Sequence, residues 1–91
     1  MPKIILTAQV EDGAKWEAGF RTHGDLFRTY GLQAPIQFGV AGHDVALLME
    51  PKDMDVYMAA MHSQATVEGM SFDGVKRETV KIFVLDKEVK L

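Results

Sequence analysis

The chain contains no cysteine. That excludes disulfide staples, zinc–thiolate knuckles and thiolate nucleophiles, and nothing in it calls for an oxidising compartment. Asparagine is absent as well. Only two serines occur, Ser63 and Ser71, neither in a Gly-x-Ser-x-Gly setting, so serine hydrolysis is not expected. Glycine-rich phosphate loops of either common type are missing, which removes nucleotide-cradling chemistry. There is no basic excess either: the formal net charge is −3, the wrong sign for a domain that neutralises phosphates, and nucleic acid is not an expected partner. The apolar run after Lys3 turns polar by Gln9. It is too short to cross a membrane and lacks a signal-peptide cleavage pattern, so a cytoplasmic protein without membrane contact is expected.

What is present is the balance of an ordinary folded domain. Apolar residues make up 47% and charged residues 25% of 91 residues, enough for one domain spanning 1–91 and too few for two. From Lys3 to Val10, Ile4, Leu6, Ala8 and Val10 alternate with Ile5, Thr7 and Gln9, the period of a strand. Asp12 is a good N-cap for the segment Ala14 to Tyr30, where Trp16, Phe20, His23, Phe27 and Tyr30 recur at steps of four and three. That spacing predicts one amphipathic helix, closed by Gly31 as a left-handed C-cap. Gln33 to Val40 and Val45 to Glu50 read as strands joined by the turn Ala41-Gly42-His43-Asp44, hence as an antiparallel hairpin. Asp53 can cap a second helix with Met54, Tyr57, Met58, Met61 and Ala65 on its apolar stripe, and a further helical stretch covers Thr66 to Phe72. Glu78 to Leu85 is the last strand, followed by a charged extension.

The order strand, helix, strand, strand, helix, strand predicts an α+β, ferredoxin-like βαββαβ fold. Right-handed crossovers place both helices on one face of a four-stranded antiparallel sheet. The other face is then bare, and in a monomer it should be polar. It is mixed instead: Ile5, Leu48, Phe83 and Leu85 share it with Thr7, Gln9, Gln37 and Lys81. Burying one such apolar side chain contributes about 1.5–3 kcal/mol, so a homodimer packed sheet against sheet is expected.

The residues also suggest a family. Val10, Trp16, Phe20 and His23, then Gly31, the hairpin with Asp44, Glu50 at the end of the third strand, and Asp73-Gly74-Val75 before the last strand resemble the dimeric α/β-barrel superfamily. More narrowly, the chain is similar to small bacterial members related to antibiotic-biosynthesis-monooxygenase-like proteins. That group includes haem-degrading monooxygenases, muconolactone-type isomerases and polyketide cyclases, as well as proteins without an assigned activity. The resemblance implies a homodimer with a ligand cleft between helices and sheet in each subunit; it names neither ligand nor cofactor. The asparagine, tryptophan and histidine set of the haem degraders has no clean match, because the chain has no asparagine.

Among residues able to carry chemistry, His23 comes first. An imidazole facing a cleft can act as a general base, since its free pKa of about 6.5 lies near working pH; a buried histidine satisfied by a carbonyl or hydroxyl is the plainer alternative. Trp16, Phe20, Phe27 and Tyr30 can stack on a flat ligand, and Tyr57, Met58 and His62 extend the candidate binding set along the second helix. His23 and His62 with Glu50 would supply two imidazoles and a carboxylate for a metal, but no spacing enforces such a site and none is assigned. His43 and Asp44 are explained by turn chemistry, and Met54, Met58, Met61 and Met70 suit either a core or an adaptable wall. Two functions remain open. One is a cofactor-independent monooxygenase or isomerase of a small aromatic or polyketide-like substrate. The other is a non-catalytic ligand-binding or regulatory homodimer.

Overall fold

Alternating side chains make the sheet. In β1 (Ile4–Val10), Ile4, Leu6, Ala8 and Val10 are buried while Ile5 and Thr7 of the opposite parity are half-buried and Gln9 is exposed. β2 (Leu32–Ala41) and β3 (Asp44–Pro51) form the expected hairpin, with Gly42 at positive φ in the turn. β3 repeats the pattern through Val45, Leu47 and Met49. β4 (Val75–Val84) completes a four-stranded antiparallel sheet in the order β2-β3-β1-β4. The computed structural model describes residues 3–29 and 31–91.

β4 begins earlier than its alternation predicts, at Val75 rather than Glu78. The pairing with β1 shifts register between Thr7 and Gln9, so the extra residues are absorbed as an irregularity that blurs the period of two. Thr79 closes it: its hydroxyl accepts from the Gln9 N–H at 2.8 Å and donates to the Lys76 carbonyl at 2.6 Å.

The helices cover one face. α1 (Gly13–Phe20) is capped by Asp12, whose carboxylate accepts from the N–H groups of Ala14 and Lys15. The single helix predicted for Ala14 to Tyr30 is in fact two, because α2 (Gly24–Thr29) starts afresh. Between them the backbone tightens, with Thr22 N–H bonding the Gly19 carbonyl and His23 N–H the Phe20 carbonyl. The Thr22 hydroxyl donates to the same Gly19 carbonyl at 2.6 Å. A threonine side chain competing for helix carbonyls, between two poor helix formers at Gly19 and Gly24, ends the first helix. His23 then offers its carbonyl to Phe27 N–H as the first bond of α2. Gly31 takes φ +71° after it, as a C-cap glycine should.

α3 (Met54–Met61) is capped by Asp53 as expected, and α4 (Gln64–Phe72) begins two residues before its predicted start because Ser63 caps it through Thr66 N–H. Ala65 therefore belongs to α4 and is exposed, off the α3 stripe. Trp16 from α1 and Tyr57 and Met61 from α3 join the buried strand residues in one core. No helix among the described residues is long and apolar enough to cross a membrane.

Candidate functional site

Between the helices and the sheet lies a cavity of about 90 Å³. Leu6, Ala8, Leu47 and Met49 form its floor, and the walls come from all four helices. Tyr57 and Met61 of α3 and Met70 of α4 line one side; Trp16, Phe20 and Phe27 line the other. The aromatic side is tightly built. Trp16, only 3% exposed, stacks on Phe20 with centroids 4.8 Å apart; Phe20 meets Phe27 at 4.8 Å, and Phe38 of β2 packs edge-on against both Trp16 and Phe20.

His23 and Asp73 put the charge-bearing groups on this wall. The His23 Nε2 lies 2.9 Å from Asp73 Oδ2, with the side chains 27% and 6% exposed. A carboxylate can only accept, so in a neutral His23 it fixes the proton on Nε2 and leaves the lone pair on Nδ1. The turn that interrupts the first helical segment is what aims His23 here, and the C-cap of α4 presents Asp73. Gly74, with φ +76°, turns the chain directly into β4.

Gly19 makes room for the carboxylate. A Cβ built on Gly19 would stand 2.1 Å from Asp73 Oδ1, so any larger residue would displace it. Among the described residues Oδ1 itself has no hydrogen-bond partner. Asp73 is thus a buried carboxylate bound through one oxygen, and that oxygen is bonded to a histidine. Buried acids rarely stand without such a bond because leaving them unpaired is costly.

An open groove of about 330 Å³ runs alongside and shares Phe20, Phe27 and Leu32 with the cavity wall.

Of the residues singled out from sequence, His23, Trp16, Phe20, Phe27 and Tyr57 meet at the cavity. Met58 is half-buried against the core and does not line it. His62 is the exposed C-cap of α3, where the helix has already ended, and it too lies off the wall. Tyr30 lies outside the described residues. The weighed trio of His23, His62 and Glu50 is not brought together: Glu50 pairs with Lys3 at 3.7 Å, on the sheet face opposite the helices. Among the described residues no three potential metal ligands converge. His43 has a turn role, exchanging contacts with Val10 through its carbonyl and its Nδ1. Sequence reasoning missed Asp73 and Phe38 as site residues. Asp73 read only as helix punctuation, and its partner lies fifty residues away.

The fold is ferredoxin-like, four antiparallel strands with the helices on one side. Its structural neighbours are the antibiotic-biosynthesis-monooxygenase-like proteins that the sequence resemblance implies. A Bordetella bronchiseptica protein provisionally described as an antibiotic biosynthesis monooxygenase superposes with a TM-score of 0.74 at 18% identity, covering 97% of each chain. SnoaB, a cofactor-independent oxygenase from Streptomyces nogalater, gives 0.69 at 12% identity, over 99% of this chain and 95% of its own. A Nitrosomonas europaea protein with the same provisional description gives 0.61 at 18% identity, over 96% and 98%. No protein-family model matches the sequence, and no curated protein does.

Proposed function

We propose that this protein, as one domain over its whole length, deprotonates a small aromatic substrate held between helices and sheet. His23 is the base and Asp73 is the residue that orients it. The observation that carries this reading is the 2.9 Å His23–Asp73 contact at the wall of an otherwise apolar, aromatic-lined cavity. An ionised phenol-type ring is electron-rich enough to react with dioxygen or to be reprotonated elsewhere, so an oxygenase and an isomerase share this first step. A positioned general base contributes about 10²–10⁴-fold. The likeness of fold to a cofactor-independent oxygenase supports the oxygenase branch.

The working unit of this reading is a homodimer joined through the helix-free sheet face. Phe83, on that face opposite Ile5, is 49% exposed, and a second copy is the simplest cover. A non-catalytic binding role is the second reading. It is favoured by Met61 and Met70 on the cavity wall, whose flexible thioethers adapt to varied apolar ligands.

The test uses Trp16, the single tryptophan, which stacks on Phe20 at the cavity. Titration with phenols and naphthols should change its fluorescence saturably, and His23→Ala should retain that binding while losing turnover. Rings that bind and are turned over equally by wild type and His23→Ala would sink the catalytic reading.

A further inference from the structure

One glycine in the cavity wall has no steric reason to be there. Gly69 lies in the interior of α4, where glycine is disfavoured against alanine. Its φ is not positive, and a Cβ built on it would meet nothing within 4 Å among the described residues. Gly19 differs, because Asp73 stands against it. Yet Gly69 borders the cavity, together with Thr66 and Met70 of the same helix and its cap Asp73. The missing side chain therefore leaves open space at the edge of the site.

The helix period says where that opening leads. At about 100° per residue, Thr66, Met70 and Asp73 form the inward row of α4, and Gly69 flanks it on the side that carries Ala65 and Phe72. Thr66 and Asp73 are buried, Ala65 is exposed, and Gly69 is half-buried between the two rows. Phe72, one turn beyond Gly69, is 75% exposed. Residues three apart are neighbours on a helix surface, so this open phenyl ring continues the aromatic-lined cavity outward across the gap.

We propose that the cavity opens over Gly69 and that its ligand is a fused two-ring phenol, whose second ring passes through this gap onto Phe72. Gly69 is then the residue that sets ligand size, since any side chain there would occupy the path of the second ring. The proposal rests on the reading of the cavity as an aromatic site and narrows its substrate class from one ring to two. It requires nothing of the chemistry at His23.

Titration of the full chain, Gly69→Leu and Phe72→Ala with phenol and with naphthol, read by Trp16 fluorescence, tests this. The wild type should bind naphthol more tightly than phenol. Gly69→Leu should raise the Kd for naphthol about tenfold or more and leave that for phenol within about twofold. Phe72→Ala removes the outer ring and should weaken naphthol about threefold to tenfold, again sparing phenol. Leucine and alanine are good helix formers; should Gly69→Leu still fold poorly, Gly69→Ala should show a smaller loss, about threefold, for naphthol alone. Naphthol affinity unchanged in the Gly69 variants, or both rings weakened equally, would overturn the proposal. Naphthol selectivity of the expected kind without any turnover would sustain it while removing the catalytic reading. A wild type that binds neither ring would overturn both.

Discussion

Gly19→Ala pits two effects of opposite sign against each other. In a helix, alanine is favoured over glycine by up to about 1 kcal/mol, so the change should ordinarily stabilise α1. Here the new methyl would stand 2.1 Å from Asp73 Oδ1, and the carboxylate must leave its place. Losing its 2.9 Å bond to His23 forfeits an interaction with a charged acceptor, about 1.5–3 kcal/mol, and strands a buried acid. The loss exceeds the gain by about 0.5–2 kcal/mol even at the full helix gain. For a domain of this size each kcal/mol moves the melting temperature about 4–8 °C, so a fall of about 2–16 °C is expected in thermal unfolding at fixed protomer concentration. The double-mutant cycle sharpens the test. With Asp73→Ala already in place the clash is gone, and Gly19→Ala should become neutral or stabilising. Gly69→Ala in α4, where a Cβ meets nothing within 4 Å, should also stabilise by up to about 1 kcal/mol. A Gly19→Ala protein as stable as wild type, with the same increment in both backgrounds, would refute the placement of Asp73.

Other consequences are more local. Asp73→Asn keeps the size of the side chain but removes its charge, so turnover should fall about tenfold or more while Trp16 titrations report unchanged ring binding. Phe83→Lys puts a charge beside Ile5 on the helix-free face and should give a monomer by light scattering; a persistent dimer would count against sheet-to-sheet packing. Asp53→Ala removes the cap that accepts from Asp55 and Val56 N–H and should cost about 1 kcal/mol in denaturant unfolding.

What the sequence disclosed and what it hid divide along physical lines. Asp12, Asp53, Gly31 and the alternation in β1 and β3 act locally, so their roles were legible at once. The break before α2 was not, because the aromatic spacing from Trp16 to Phe27 runs on through it while Thr22 diverts a carbonyl. The start of β4 was masked by the irregularity that Thr79 closes. His23 stood out as a polar residue on an apolar stripe, but its carboxylate did not, since a pairing between α4's cap and the α1–α2 turn exists only in three dimensions. Met58 and His62 were drawn in by helical spacing alone. They fall away from the cavity because α3 ends at Met61 and turns its Tyr57 and Met61 side inward.

The catalytic reading meets its most direct test in steady-state oxygen uptake and product analysis with phenols and naphthols that saturate Trp16 fluorescence, comparing wild type with His23→Ala. The account predicts turnover by the wild type and at least a hundredfold lower kcat in the variant, with ring affinity little changed. Equal kcat in both proteins, or rings that bind without perturbing Trp16, would contradict it.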